Sequence, residues 1–445
     1  MPTSAEPPSR SASPAAESYG RVVIRAALWL AFLAPFFYST YGFANWLAST
    51  RNQVGSIVFS WEHHVPFLAW TIVPYWSINL FYALSLLLND SRQGVNRLAG
   101  RYLTAQVIAV SCFILFPLTA TFVRPATTGL PGFLFAVLGG FDKPFNQAPS
   151  LHIALLVIIW DHWRQRLTRP LLRLWHFWCF LIGGSVLTTW QHHFIDIPTG
   201  ALLGFFALWL FPAKGELPFA GFRLTADTKA RRLSFYYGLG AILALAGASA
   251  GAFFSAIALV LLWPALALAI VAFAYAGAGV KVFQKTADGR VSLASRILLL
   301  PYRLGARVNV WAWTRRLPPV VSVTDGVFLG RFPDAAEADA FGTVIDLAAE
   351  LERPRDATGR WMSFAMLDLL SPPGDMLDQA ATAIEPACRQ GTVLVCCALG
   401  FQRSATVVAR WLVATGRSHT PAQARKQLAA SGRPVHLQVG LDEPA

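Results

Sequence analysis

Charged residues are scarce in this sequence of 445 residues, because Asp, Glu, Lys and Arg together make up only 14% of it. A soluble globular protein contains about 25% of these residues. Hydrophobic residues reach 55%, and the mean hydropathy is +0.46. The shortage of charge argues against a wholly soluble chain and predicts an integral membrane protein with a soluble part attached.

Cysteine pairs and metal-binding motifs are also lacking. The five cysteines show neither framework spacing nor a C-x-x-C pair, and the sequence contains no H-E-x-x-H motif and no internal repeat. We therefore expect no disulfides, no metal site and no cofactor. Residues 1–20 are rich in Pro, Ser and Ala and lack the apolar core of a signal peptide, so they are interpreted as a disordered tail.

Long apolar stretches are what the sequence has in excess. Eight stretches approach the ~20 residues that cross a bilayer. The fourth is the weakest, because Asp161 and Arg164 shorten it. The eight lie near residues 24–49, 66–88, 103–123, 151–168, 170–190, 194–212, 234–253 and 255–278.

The net charge of +13 follows the arrangement of these stretches. Basic residues cluster in alternate loops, which favours the positive-inside pattern of a membrane protein over nucleic-acid binding. The basic loops are 89–101, 161–173, 214–232 and the segment after 279, and the loops with few cations are 50–65, 124–150 and 190–194. The pattern predicts that the first set is cytoplasmic, that the second faces outward and that both termini are cytoplasmic.

Soluble elements replace the apolar stretches near the end of the chain. Residues 279–317 mix basic and apolar residues and suit either a stretch on the anionic inner membrane surface or a solvated linker with some helix. Strands are predicted at 327–332, 343–348, 361–367 and 392–397, and helices at 375–391, 404–416 and 420–432. Their alternation predicts a small α/β domain.

The last predicted strand ends at Cys397, and Arg403 and Ser404 open the next helix. A bare C-x5-R pattern is close to a chance occurrence, but the strand, the glycine in the loop and the helix make it specific. Backbone N–H groups at a helix N-terminus bind anions and favour a thiolate. An arginine can hold two phosphate oxygens at once. A buried strand–helix turn without activity remains the alternative.

Residues 318–445 resemble a dual-specificity phosphatase domain of the Cys-based, tyrosine-phosphatase type. The resemblance rests on "VTDGVFLGRFP", on the C-x5-R-S loop and on "ARKQLAASGRP". It implies that Cys397 attacks phosphorus, that Arg403 and Gly400 bind the phosphoryl group, and that Ser404 stabilises the thiolate.

The same resemblance implies a general acid upstream of the loop. Asp368 is the first choice for this role, and Asp375 is the second. The sequence departs from the family at Cys396, because the residue before the nucleophile is usually His.

A second group of residues lies at the outward ends of apolar stretches, in "NQAPSLHIALL" (146–156) and "TTWQHHFIDIPTG" (188–200). His and Asp in such places are costly and usually functional, although a lone His near a helix end is more often an interfacial polar group. His192 and Asp196 are one helical turn apart, so both can face one site. A carboxylate bound to one imidazole nitrogen leaves the other free as a nucleophile.

Residues 60–212 resemble the type 2 phosphatidic acid phosphatase superfamily, and "PSLH" is similar to its inositol-phosphorylceramide-synthase-like branch. The resemblance implies a six-span core. It also implies that His192 accepts the phosphoryl group, that Asp196 orients His192 and that His152 protonates the leaving group. Arg124 and Ser150 would bind the phosphate.

Two cations of that superfamily are missing here. Pro117 stands where the first motif usually has Lys, and Ser185-Val186 stands where the third motif usually has Ser-Arg. Lys143 is a candidate substitute. His193 is expected to be only a neighbour of the site, and His63 and His64 are assigned structural or interfacial roles.

The predicted fold is a multi-span helical membrane bundle, with a six-helix phosphatase core and about two extra spans, followed by a cytosolic α/β domain. The predicted parts are a disordered tail, a lipid-phosphatase-like membrane domain, two additional transmembrane helices, a basic amphipathic linker and a dual-specificity phosphatase domain. They cover residues 1–20, 21–213, 214–278, 279–317 and 318–445.

The predicted function is that of a bifunctional phosphatase in a bacterial inner membrane, resembling bacterial fusions of the two families. An outward His-based site would hydrolyse a lipid phosphate, and a cytosolic Cys-based site would hydrolyse a phosphomonoester. Lipid phosphate, membrane lipids and other phospholipid-synthesis enzymes are the expected partners, with no nucleic acid. The alternatives are head-group transfer at the outward site, or a scaffold whose cytosolic domain only binds phosphorylated ligands.

Overall fold

The computed structural model describes residues 18–324 and 326–437. The chain divides into two compact units, residues 1–213 and 214–445. Most of the expected disordered tail, residues 1–17, lies outside the described residues, and Tyr19 and Gly20 already belong to the first helix.

The described part of the first unit is built of helices. They are α1 (Tyr19–Ser49), α2 (Ile72–Leu87), α3 (Arg92–Leu115), α4 (Gly129–Gly139), α5 (Leu151–Arg164), α6 (Arg169–Thr188) and α7 (Asp196–Leu210). By length and composition α1, α3 and α6 are able to cross a membrane. Helices α2, α5 and α7 have only 16, 14 and 15 residues, so they are shorter than the predicted spans at 66–88, 151–168 and 194–212.

Close packing of α5 on α7 brings the candidate outward residues together. A Cβ at Gly200 would lie 2.5 Å from the carbonyl oxygen of Ser150, and one at Gly204 would lie 2.8 Å from that of Ala154. Glycines at such crossings let helix backbones approach each other. The N-terminal ends of α5 and α7 are therefore adjacent.

The second unit begins with two apolar helical segments. Helix α8 (Thr228–Ala252) and the segment Ala256–Phe283, which includes α9 (Leu262–Phe273), complete the five helices among the described residues that are long and apolar enough to span a membrane. Helix α8 leaves Phe235, Ile242 and Leu243 each more than 60% exposed. Such an apolar surface suits lipid better than water. We call this pair, residues 228–283, the membrane hairpin.

Helices α10 (Leu293–Leu298) and α11 (Leu300–Thr314) follow the membrane hairpin. Leu298 and Leu299 are fully buried, and Lys285 forms a buried ion pair with Asp346 of the sheet. The segment 279–317 therefore contains helix, as one interpretation expected, but it packs against the α/β domain instead of forming a solvated linker. Its predicted place on the membrane surface stays a prediction.

The α/β domain contains one five-stranded sheet in the order β1-β2-β5-β3-β4. Its strands are β1 (Val320–Thr324), β2 (Val327–Gly330), β3 (Thr343–Ala348), β4 (Arg360–Met366) and β5 (Val393–Cys396). Strand β1 pairs antiparallel with β2, and the other pairs are parallel. The four predicted strands are confirmed, and β1 is an additional edge strand.

Five helices cover this sheet. They are α12 (Ala335–Asp339), α13 (Gly374–Thr382), α14 (Ile384–Cys388), α15 (Arg403–Ala414) and α16 (Pro421–Ala430). The predicted helix at 375–391 is thus two short helices, and those at 404–416 and 420–432 are confirmed. The sheet and helices confirm the predicted α/β class of this domain, whereas the membrane bundle stays a prediction.

Candidate functional sites

Cys397 directly follows the central strand β5, at the edge where the carboxyl ends of the parallel strands meet. Ligand sites of α/β sheets lie at this edge. Cys397 is buried, and its Sγ lies 3.3 Å from the Oγ of Ser404. The backbone N–H of Gly400 donates to the same sulfur at 3.2 Å. Donors aimed at the sulfur favour the thiolate, which is the nucleophilic form.

The loop between β5 and α15 requires glycine at position 400. Gly400 has φ +78°, and a Cβ there would lie 2.5 Å from the carbonyl oxygen of Gly330. Arg433 supports the loop, because its Nη2 donates to the carbonyl oxygen of Leu399 at 2.7 Å. The backbone of Gly330 and the side chain of Arg433 therefore both contact this loop and fix its position.

Arg403 is almost fully buried at the start of α15, and two carboxylates hold it. Its Nη1 and Nη2 donate to the two carboxylate oxygens of Glu350 at 3.0 and 2.6 Å. Its Nη1 also donates to the carbonyl oxygen of Met366 at 2.8 Å, and its Nη2 lies 3.0 Å from Oδ1 of Asp368. The structure thus brings together Cys397, Arg403 and Asp368, as the sequence predicts.

Glu350 is a site residue that the sequence analysis missed. It lies just beyond β3, at the same edge of the sheet as Cys397. The signal available in the sequence was a carboxylate two residues after the end of a buried strand. The second choice for the acid, Asp375, is exposed in the first turn of α13.

The pKa values of the two carboxyl groups beside Arg403 are shifted in opposite directions. Burial raises the pKa of the Glu350 carboxyl, but the charge and hydrogen bonds of Arg403 outweigh burial and hold this pKa below its usual value. Burial also raises the pKa of Asp368, and here Arg403 compensates only in part, so the pKa stays above its usual value. A carboxyl group with a raised pKa keeps its proton to higher pH, which suits a general acid.

Cys396 lies on the opposite face of the sheet from Cys397, because successive strand residues point to opposite faces. Its side chain packs in a core cluster with Val344 and Trp361, whereas Cys397 belongs to the cluster on the other side. Burial, followed by the charge of Asp346, raises the pKa of the Cys396 thiol well above its usual value. Cys396 is therefore a core residue whose side chain lies on the other face of the sheet from the thiol of Cys397.

His192 is held between a carboxylate and a hydroxyl group in the first unit. Its Nδ1 lies 3.0 Å from Oδ2 of Asp196, and its Nε2 lies 3.3 Å from Oγ of Ser150. All three side chains are buried. Ser150 also caps α5 by accepting the N–H of Ile153. The structure thus joins three of the residues that the sequence assigns to the outward site.

His152 and His192 both line a cavity of about 200 Å³. The ring of His152 stacks on that of Tyr75 at 4.1 Å, and its Nε2 is buried without a hydrogen-bond partner among the described residues. The other lining groups are mainly neutral, and Asp142 contributes one carboxylate. The neutral polar groups include Tyr41, Asn79, Tyr82, Tyr102, Gln106 and Asn146.

Arg124 is not among the residues that line this cavity. Its guanidinium lies 5.1 Å from the ring of Phe135, and its Nη1 is buried with no partner in the described part of the chain. Lys143, the candidate substitute for the missing cations, is exposed. No hydrogen bond or ion pair among the described residues links either cation to His192.

A second histidine–carboxylate pair lies beside the first. Nδ1 of His193 lies 3.1 Å from Oε2 of Glu62, and its Nε2 accepts the N–H of Thr121 at 3.1 Å. Both ring nitrogens of His193 are therefore occupied by contacts within the protein. Glu62, which the sequence analysis missed, also accepts the N–H of Phe194 at 2.9 Å.

No protein-family model matches the chain, and no curated protein matches it. Twenty-two chains of solved structures match, and those described next fall in the C-terminal part. The chain is similar to Tk-PTP in its active form (23% identity, TM-score 0.25), over 27% of this chain and 89% of that one.

Two further solved structures show a similar extent of resemblance. One is a mouse putative dual specificity phosphatase complexed with zinc tungstate, with 22% identity and TM-score 0.25, over 28% of this chain and 82% of that one. The other is PTPMT1 in complex with PI(5)P, with 17% identity and TM-score 0.25, over 28% of this chain and 90% of that one.

Proposed function

We propose that the C-terminal domain is a Cys-based hydrolase of phosphomonoesters. The observation that carries the proposal is the position of Arg403, buried between two carboxylates beside a cysteine whose sulfur faces Ser404 and a backbone N–H. A buried guanidinium with this orientation can present its remaining N–H to phosphate oxygens. Its Nε has no hydrogen-bond partner among the described residues.

The reaction would proceed in two steps. The Cys397 thiolate attacks phosphorus, the bond to the leaving oxygen breaks, and the Asp368 carboxyl gives its proton to that oxygen. Water then attacks the phosphocysteine, and Asp368 takes a proton from this water, so that phosphate leaves and the thiolate returns. The loop "ALGFQ" (398–402) carries no charge, so we expect poor activity on highly phosphorylated head groups.

Loss of the nucleophile tests this proposal. Phosphate release from a phosphomonoester by purified full-length Cys397→Ser should fall by about three orders of magnitude or more. All proteins would carry His192→Ala, so that the other candidate site is silent. Cys396→Ala is the matched control, because it removes the neighbouring thiol on the other face of the sheet. If Cys397→Ser kept the activity of its His192→Ala parent, the hydrolase would be rejected. An inactive parent protein that binds phosphate esters would favour the scaffold.

We also propose a His-based phosphoryl-transfer site in the first unit, facing outward. His192 would attack phosphorus through Nε2 while Asp196 holds Nδ1, and Ser150 would contact the phosphate. His152 would protonate the leaving group, and Arg124 would bind phosphate. The pairing of His192 with Asp196 at 3.0 Å supports this proposal.

Transfer to an alcohol is the second candidate reaction of that site. The lining of the cavity beside His152 and His192 includes amide and phenol groups among apolar side chains. These polar groups suit a neutral hydroxylated acceptor better than a second anion. With Cys397→Ser protein, phospholipid and an added alcohol, phosphorus NMR should show a new phosphodiester. Inorganic phosphate released from a lipid phosphomonoester, without any diester, would favour the hydrolase. A His192→Ala protein that keeps either product would reject the site.

A further inference from the structure

A tyrosine of the membrane hairpin contacts the backbone of the candidate general acid. The hydroxyl of Tyr275 donates a hydrogen bond to the carbonyl oxygen of Asp368 at 3.1 Å. The next residue, Leu369, has φ +61°. A leucine rarely adopts this left-handed conformation, because its Cβ crowds the backbone. Leu369 therefore has a backbone conformation that leucine rarely adopts, directly after the carbonyl group that Tyr275 binds.

Tyr275 is itself fixed in place. Its ring stacks on that of Tyr237 at 5.3 Å with an angle of 18°, and Tyr237 meets the edge of Tyr302 at 5.9 Å. The chain just after Tyr275 is equally constrained, because the N–H of Thr225 donates to the carbonyl oxygen of Ala276 at 2.8 Å. Gly277 has φ +140°, and a Cβ there would overlap the carbonyl oxygen of Arg223.

We propose that Tyr275 is a positioning residue for the general acid of the Cys397 site, so that the membrane hairpin takes part in catalysis by the α/β domain. The inference rests on the proposed hydrolase. For catalysis, the carboxyl group of Asp368 must lie at the leaving oxygen. The guanidinium of Arg403 attracts the same carboxyl group, with Nη2 3.0 Å from Oδ1. The Tyr275 hydrogen bond holds the peptide that sets the direction of this carboxyl group.

The proposal makes a prediction about leaving groups. An alkoxide is a poor leaving group and needs a proton from the acid, whereas p-nitrophenolate leaves without one. Misplacing Asp368 should therefore slow hydrolysis of an alkyl phosphate and spare p-nitrophenyl phosphate. A general loss of structure would slow both reactions alike.

The experiment compares Tyr275→Phe with its parent on both substrates in detergent micelles, as full-length protein carrying His192→Ala. Short-chain phosphatidic acid serves as the alkyl phosphate. We expect kcat on phosphatidic acid to fall about fivefold, the factor expected for one neutral hydrogen bond. The kcat of Tyr275→Phe on p-nitrophenyl phosphate should stay within about twofold of the kcat of the parent.

Two further variants make the outcome decisive. Tyr236→Phe removes a phenol on the same hairpin that is bonded to Arg232, and it should change neither rate. Asp368→Asn should show the same selectivity as Tyr275→Phe, with a larger loss. Equal losses on both substrates, or no loss, would overturn the role of Tyr275. If Cys397→Ser retained both activities, the hydrolase proposal itself would fail.

Discussion

At the residue scale, Glu350 orients the guanidinium of Arg403 in the Cys397 site. It accepts two hydrogen bonds from Arg403 and is itself buried. With a neutral glutamine at position 350, the buried positive charge of Arg403 would be balanced by only one of its two carboxylate partners, Asp368. Breaking a buried ion pair in this way is strongly destabilising.

Glu350→Gln should therefore lower the free energy of unfolding by about 3 kcal/mol and reduce kcat/KM about tenfold or more. Since the pKa of Glu350 is depressed in the folded state, its contribution to stability is present above the unfolded value of about 4.3. The contribution is lost as pH falls through the folded pKa. The stability gap between the two proteins should accordingly narrow in acid, as denaturant unfolding at several pH values would show.

Glu352→Gln is the control for this experiment, because Glu352 pairs with Arg296 and not with Arg403. It should leave kcat/KM within about twofold of the parent. A Glu350→Gln protein with unchanged kcat/KM would mean that the other partners of Arg403, namely Asp368 and the carbonyl oxygens of Met366 and Leu347, are enough to orient it.

The site residues that the sequence predicted and those that it missed differ in how far they lie from Cys397 along the chain. Cys397, Gly400, Arg403 and Ser404 lie in one short segment, the loop after β5 and the start of α15, so their spacing carries the signal. Glu350 and Tyr275 reach the same site only through the sheet and the membrane hairpin. No local pattern marks such a residue, because its role depends on which elements become neighbours.

At the element scale, the sheet was predicted better than the apolar helices. Strands such as β3 and β5 are short apolar runs that end at polar or turn residues, and their bounds agree with the structure to within a residue or two. Strand β1 was missed because it is a half-exposed edge strand without a clean alternation of polar and apolar residues. Edge strands need not carry the apolar pattern of a buried strand.

Helices α2, α5 and α7 are shorter than the apolar stretches that predict them. Hydropathy counts apolar loop residues together with helical ones, and it does not detect where a helix ends. Helix α5 begins at Leu151, as its predicted span does, and ends at Arg164, four residues before the predicted end. The residues missing from α5 are therefore at its C-terminal end, whereas Ser150, which caps the helix and contacts His192, lies at the other end.

At the scale of the whole molecule, the basic loops that alternate between the apolar stretches set the expected orientation. Basic segments flank the membrane hairpin at 214–232 and after 279, which predicts that the α/β domain is cytoplasmic. A cytoplasmic location would also keep Cys397 reduced. The His192 group lies between stretches whose loops hold few cations, and it is predicted to face outward.

Sealed membrane vesicles of known orientation test this arrangement. Hydrolysis of the charged, impermeant p-nitrophenyl phosphate by the Cys397 site should be seen in inside-out vesicles without detergent. In right-side-out vesicles the same activity should appear only after detergent breaks the seal, because the substrate cannot otherwise reach the site. Vesicles with Cys397→Ser provide the background in both orientations. Full activity in sealed right-side-out vesicles would place the α/β domain outside and would reverse the orientation that the basic loops predict.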